Sequence, residues 1–208
     1  MKKNLYIFDL DGVLIDSKEN MKMSWNYVQK KFFLNQNFDA YFSQIGKPFP
    51  KILKDLKIKK KIKEIYKDYN FFSINNEKKI KLYPGVKTIL RKLNRNNLLA
   101  IVTSKNKQRT SSIVKKYKLK FDLISTPNLT LKGKPNPDQI NSVIQKLKVN
   151  KKRCVYIGDT NIDYLTAKRA KIGFIYASYG YGKVMYKKNI FRINSFKKIL
   201  KYKFDEKN

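Results

Sequence analysis

Short, nearly unbroken apolar runs recur along this chain, each followed by a stretch with helical spacing. NLYIFDL (Asn4–Leu10), LLAIVTS (Leu98–Ser104), FDLIS (Phe121–Ser125), RCVYIGD (Arg153–Asp159) and IGFIYA (Ile172–Ala177) are the clearest, and IFRI (Ile190–Ile193) is a weaker one. A strand with one face in water alternates apolar and polar residues, whereas a strand that is apolar throughout is buried on both faces. Strands of the second kind separated by helices predict a parallel sheet with helices on each side, a three-layer α/β/α Rossmann-like core. Pro84 and Pro137 suit the first turns of connecting helices, and Asn194-Ser195 could cap the last one.

One stretch breaks the rhythm. From Ser17 to Leu82 the sequence shows helical patterns and turns but no convincing strand, and MSWNYVQKKFFL, PFPKILKDL and IKEIYKDYNFF are its best helical pieces. The predicted organisation is therefore an α/β core made of residues 1–16 and 83–208, with residues 17–82 inserted as an all-helical cap domain. In LKIKKKIKEIYKDY, several apolar residues fall at helical spacing, so the lysines are expected on the solvated face of a helix. The polar end KYKFDEKN is expected to fray.

Composition narrows the chemistry. The chain has 208 residues, 42% of them hydrophobic, enough for a real core. No apolar run approaches the roughly 20 residues that span a bilayer, and acids interrupt the first apolar run too early for a signal peptide. The single cysteine, Cys154, allows no internal disulfide framework and fits a reducing, cytoplasmic setting. There is no histidine, which excludes Ser-His-Asp hydrolysis, histidine nucleophiles and most zinc catalysis. Cys154 has Thr160, not an arginine, six residues on, so it does not serve a Cys-Arg phosphatase loop. Catalysis is left to carboxylates, hydroxyls, lysines or a hard metal ion. The formal charge of +33 suits a polyanionic partner such as nucleic acid or an acidic membrane, or simple composition bias toward Lys, Asn, Ile, Phe and Tyr. The lysines are scattered, which favours the second explanation.

In open parallel sheets, ligands bind beyond the carboxyl ends of the strands. Asp9 and Asp11 follow the first strand, Thr103 and Ser104 the second, and Asp159, Thr160 and Asp163 the fourth. Lys134, before two prolines in KGKPNPD, precedes the helix leading to that fourth strand. Clustered acids repel one another at neutral pH. Without histidine, the natural neutraliser is a hard divalent cation such as Mg2+, which takes carboxylates, waters and phosphate oxygens. Together these groups point to phosphoryl chemistry, with a carboxylate able to act as nucleophile.

DLDGV, the threonine after AIV, KPNP and GDTNID resemble, in order, the four motifs of the haloacid dehalogenase superfamily. The helical segment after the first motif is similar to the cap of its phosphoglycolate phosphatase-like and β-phosphoglucomutase-like branch. IGKPFPKILKDL, LYPGV and SYGYG are lesser matches, and the resemblance runs from about residue 4 to 200. It implies that Asp9 is the nucleophile and that Asp11 protonates the leaving oxygen and then activates water. It implies that Gly12 lets the backbone turn away, that Thr103 and Lys134 hold the phosphoryl oxygens, and that Ser104 assists. Mg2+ would be held by Asp9, the carbonyl of Asp11 and Asp159, with Asp163 in support behind them.

The implied function is a Mg2+-dependent phosphatase of a small phosphate monoester, phosphoglycolate-like or a sugar phosphate, acting through an aspartyl-phosphate. β-Phosphoglucomutases carry an extra acid where Gly158 stands, so GDTNID favours hydrolysis over the mutase alternative. Asp11 argues against dehalogenation, since dehalogenase members lack that second acid. A nucleic-acid-binding protein, or a phosphatase of nucleic-acid ends, is the other alternative. Structural readings stand beside the chemical ones: Asp159 as a helix N-cap, Asp163 as a first-turn acid, Thr103-Ser104 as a helix start, Asp16 and Ser17 as a hinge, and Cys154 and Trp25 as core.

Overall fold

The computed structural model describes residues 3–128, 130–184 and 190–204. The ends of the core segments predicted from sequence, and the last residues of the expected fraying tail, lie outside these. Six strands form one parallel sheet: β1 (Asn4–Phe8), β4 (Asn97–Val102), β5 (Leu123–Ser125), β6 (Cys154–Gly158), β7 (Gly173–Ala177) and β8 (Phe191–Ile193). Their order is β5-β4-β1-β6-β7-β8, which puts β1 in the middle and reverses direction beside it.

The apolar runs are used on both faces, as their composition requires. Tyr6 and Phe8 of β1 pack on one side with Val86, Ile89, Leu90 and Leu93 of α5 (Val86–Leu93) and with Ile113 of α6 (Lys107–Lys116). Phe196 and Ile199, in the short 3-10 segment Phe196–Lys201, complete that layer. Leu5 and Ile7 face the other way, onto Ile140, Val143 and Ile144 of α7 (Asp138–Leu147) and Ala167 and Ala170 of α8 (Asn161–Ala170). Burying each such aliphatic side chain stabilises the fold by about 1.5–3 kcal/mol. The three-layer α/β/α arrangement predicted from sequence is therefore present. Among the described residues, no helix is long and apolar enough to cross a membrane.

Between Asp16 and Lys81 the chain is helical: α1 (Lys18–Phe32), α2 (Phe38–Phe42), α3 (Phe49–Asp55) and α4 (Ile62–Asn75). These helices share a cluster of their own, with Trp25, Val28, Tyr41, Leu53, Ile65 and Tyr69 at its centre. Trp25 is fully buried there, stacked on Tyr41 with 4.5 Å between ring centroids, and its Nε1 donates to the Gln36 carbonyl.

Several local expectations are corrected. The first strand stops at Phe8, two residues short of the apolar run's end at Leu10, and Asp9 and Asp11 follow it as expected. The predicted absence of strand up to Leu82 fails at the junction, where β2 (Ile15–Asp16) pairs antiparallel with β3 (Lys81–Leu82). Two-residue strands have no readable alternation, and their pairing is between residues far apart in sequence. Helix α2, five residues long, is too short to show a helical period in the sequence. The lysine-rich run is not helical before Ile62, since Lys57 and Lys61 adopt positive φ (60° and 53°), but its lysines are solvent-exposed as expected. Pro84 precedes the N-cap Gly85, Pro137 is itself the N-cap of α7, and Ser195 flanks the last 3-10 segment without a side-chain cap bond.

Candidate active site

The acids, the hydroxyls and the lysine singled out in the sequence converge at the carboxyl ends of β1, β4 and β6. Asp9 is placed there by a bond from its backbone N–H to the Ile157 carbonyl (2.9 Å). The chain then folds back at once, with the N–H groups of Leu14 and Ile15 both donating to the Leu10 carbonyl. Gly12 is the pivot: its φ is +81°, and an added Cβ would lie 2.2 Å from Asp159 Oδ2. Only glycine meets both demands.

Lys134 is the hub of the charged groups. Its ammonium, only 1% exposed, lies 2.9 Å from Asp9 Oδ1 and 2.8 Å from Asp163 Oδ1. Burial alone would lower its pKa, but the two carboxylates outweigh that and raise it to about 12. Asp163 has both oxygens engaged. Oδ1 also accepts from Tyr156 Oη (3.0 Å), and Oδ2 accepts from the Thr160 hydroxyl (2.6 Å) and N–H (3.1 Å). Thr160 is the N-cap of α8 and forms a capping box with Asp163, so Thr160 and not Asp159 caps that helix. Asp163 thus serves as a first-turn acid and as an anchor for Lys134.

That leaves Asp159 free for another partner. It is fully buried, its Oδ2 accepts from the N–H of Tyr181 (2.7 Å), and its Oδ1 has no hydrogen-bond partner among the described residues. Burial, then the charges of Asp163 and Asp9, push its pKa well up. Asp9 is pushed up to about 7, mainly by burial, against the pull of Lys134. Asp9, Asp159 and Asp163 each offer one oxygen, all within 4.8 Å of one another. An orphaned buried carboxylate oxygen beside two further acids fits a hard divalent cation.

Asp11 is held differently. Its Oδ1 accepts from the Ser17 hydroxyl and lies 3.1 Å from the ammonium of Lys105. Ser17 is bonded in turn, through its N–H, to Tyr181 Oη, which also donates to Asp16 (2.9 Å). Thr103 is buried, with its hydroxyl accepting from the Lys105 N–H (3.1 Å). The Ser104 hydroxyl is turned to the Gly46 carbonyl (2.6 Å), tying the loop after α2 to the sheet. Thr103 and Ser104 precede α6, whose N-cap is Asn106, so they do not begin that helix.

One cavity of about 60 Å³ joins these groups, lined by Asp9, Asp11, Thr103, Ser104 and Asp159 from the sheet side and by Met21, Tyr41, Ile45, Ile52 and Tyr69 from the helices above. Lys105 and Arg109 also line it, two functional candidates that the sequence does not single out. Among 48 basic residues they carried no distinguishing mark except that Lys105 directly follows the hydroxyl pair. Lys105 is pushed down to about 8, by burial first and then by the Arg109 guanidinium, against the pull of Asp11. Cys154 is buried in the sheet away from this cavity, and burial raises its thiol to about 12.

Comparison with known proteins agrees with this geometry. Residues 6–177 match the family model of haloacid dehalogenase-like hydrolases. A phosphoglycolate phosphatase of Rhodobacter capsulatus is 29% identical over 188 residues, covering 85% of this chain and 85% of that protein. The pyrophosphatase PpaX of Oceanobacillus iheyensis is 26% identical over 174 residues, covering 80% and 79%. The structure of a haloacid dehalogenase-like family hydrolase from Streptococcus pneumoniae aligns with a TM-score of 0.82 at 21% identity, over 96% of this chain and 98% of that one, a likeness of fold.

Proposed function

The chain belongs to the haloacid dehalogenase-like hydrolases, and from that premise we propose that it is a Mg2+-dependent phosphatase of a small phosphate compound, working through an aspartyl-phosphate on Asp9. The observation that carries the reading is Asp9 itself, a buried carboxylate pinned by Lys134 beside a second acid, Asp11, in one small cavity.

A carboxylate oxygen of Asp9 attacks phosphorus as the bond to the leaving oxygen breaks, and Asp11 gives that oxygen its proton. Asp11, now a carboxylate, takes a proton from water, which attacks the same phosphorus. Phosphate leaves and Asp9 is regenerated. Lys134 and Thr103 hold the phosphoryl oxygens, and Lys134 also fixes Asp9 through its bond to Oδ1. Ser17 and Lys105 orient Asp11 by binding its Oδ1. Mg2+, held by Asp9, Asp159 and the Asp11 carbonyl, would neutralise charge on the transferring phosphoryl group. Asp163 supports the site through Lys134 and Thr160.

Residues 17–82 act as the cap over a core of residues 1–16 and 83–208, with the β2–β3 pair as its hinge. The cavity is small and partly walled by cap side chains, Met21, Tyr41, Ile45, Ile52 and Tyr69, which favours a small ester over a nucleic-acid end. Hydrolysis is favoured over the mutase alternative by Gly158, where a Cβ would sit 2.2 Å from the Asp163 Cβ, leaving no room for an added acid.

The test is phosphate release from phosphoglycolate, pyrophosphate, sugar phosphates and nucleoside monophosphates, with Mg2+ and with chelator. Release should need Mg2+ and vanish in Asp9→Asn while the circular dichroism of the protein is kept. Appreciable turnover by a folded Asp9→Asn protein would mean that another group attacks phosphorus.

A further inference from the structure

Arg109 is a buried cation that the mechanism above does not use. The residue is 7% exposed and lines the cavity, yet its Nε and Nη2 have no hydrogen-bond partner among the described residues. Among the described residues, no acidic side chain forms an ion pair with it. A guanidinium keeps its charge at any working pH, so burial does not relieve it by deprotonation. Its neighbour Tyr69 meets it in two ways: the ring lies 5.2 Å from the guanidinium carbon, and the Tyr69 hydroxyl is a hydrogen-bond partner of the Arg109 side chain. Neither contact serves Nε and Nη2, whose N–H groups point outward in the guanidinium plane and still require acceptors. Tyr69 is itself held from behind by a 2.8 Å bond to Tyr41, and Asn106 caps the turn that carries Arg109.

Lys105 stands beside it on the same cavity wall. Its side chain is 2% exposed and its ammonium lies against Asp11, the group assigned to the leaving oxygen. Two buried cations therefore flank the leaving-group side, and among the described residues Lys105 forms an ion pair with Asp11 alone. Lys134, which grips the phosphoryl side, already has two carboxylates. Of the cations buried at this site, Arg109, which has no ion pair among the described residues, is thus on the leaving-group side and not on that of the transferred phosphoryl.

We propose that Lys105 and Arg109 form a second anion subsite, which selects phosphate compounds whose leaving group itself bears a carboxylate or phosphate a few atoms from the scissile phosphorus. This rests on the phosphatase reading and narrows its substrate class. The small cavity sets the short spacing. An anion there accepts from the open N–H edge of Arg109, and a planar carboxylate or a phosphate matches the guanidinium fork.

Binding by titration calorimetry, with Mg2+ in excess, tests this without relying on turnover. The ligands are phosphonoacetate, methylenediphosphonate and methylphosphonate, of which only the first two carry a second anionic group. The wild-type protein should bind the better of these two at least about tenfold more tightly than methylphosphonate. Whether that is phosphonoacetate or methylenediphosphonate identifies the second group as carboxylate or phosphate. Arg109→Gln should erase the gap, Arg109→Lys should restore part of it, and Lys107→Gln, an exposed charge removed from the same helix, should leave it intact. A gap that survives Arg109→Gln, or that Lys107→Gln erases equally, would overturn the subsite in favour of general attraction to a basic protein. If Arg109→Gln does not fold, the wild-type gap and the response to Arg109→Lys decide. Equal binding of all three ligands by the wild type rejects the subsite alone, whereas binding of none rejects the phosphatase reading with it.

Discussion

Replacing Lys134 with methionine should destabilise the protein far more than a surface lysine replacement would. The ammonium sits between two carboxylates at 2.8 and 2.9 Å, with 1% of its side chain exposed. At an effective dielectric of about 20, each contact is a gross attraction of about 6 kcal/mol, opposed by several kcal/mol of desolvation for each ion. Methionine fills similar space but leaves Asp9, Asp159 and Asp163 together without their cation. Removing one partner of a buried pair typically costs about 3–5 kcal/mol. For a chain of this length that is a fall in Tm of about 6–20 °C. The assay is urea unfolding of chelated protein at pH 8, followed by circular dichroism. Adding Asp163→Asn to Lys134→Met should recover part of the loss, since it removes one of the stranded acids. A loss below about 1 kcal/mol for Lys134→Met, or a double variant whose losses simply add, would refute the claim that Lys134 offsets this cluster.

Two further outcomes follow from the same geometry. Gly158→Ala should lower stability by about 2–4 kcal/mol in urea unfolding, because its Cβ would overlap the Asp163 Cβ and strain the anchor of Lys134; unchanged stability would show that the strand end can shift. The Asp9 carboxyl stands at about 7 when folded, raised by burial, against an ordinary unfolded value of about 3.9. The proton is held more tightly in the folded state, so the associated stability is full below about pH 4 and is lost as pH rises through about 7. In chelated protein, Asp9→Asn should therefore gain on the wild type between pH 5 and pH 8 in urea melts, and a constant difference would contradict the burial of that charge.

Much of the site could be read from the sequence because its groups lie at strand ends, and strand ends are marked by where apolar runs stop. DLDG, TS and GDTNID each stand at such a stop. Their convergence needs only the rule that parallel strands present their carboxyl ends to one side. Lys134 was legible from the prolines around it. Lys105 and Arg109 were not, since their importance lies in burial and in missing partners, and sequence reports neither for one lysine or arginine among 48. Ser104 could be placed but not aimed: its hydroxyl meets the carbonyl of Gly46, 58 positions away.

The same division holds for the fold. The apolar runs and their spacing determined a doubly covered parallel sheet, since an all-apolar strand has no other stable use in water. The lack of histidine and the order of acids, hydroxyls and lysine determined the chemistry open to the chain. Only the tertiary structure decided the pairing of Ile15–Asp16 with Lys81–Leu82, the pairing of Lys134 with Asp163, and the placing of Tyr69 against Arg109. These are contacts between segments far apart in the chain. Their partners are chosen by distance and by the cost of burying charge, neither of which is a property of any local stretch of sequence.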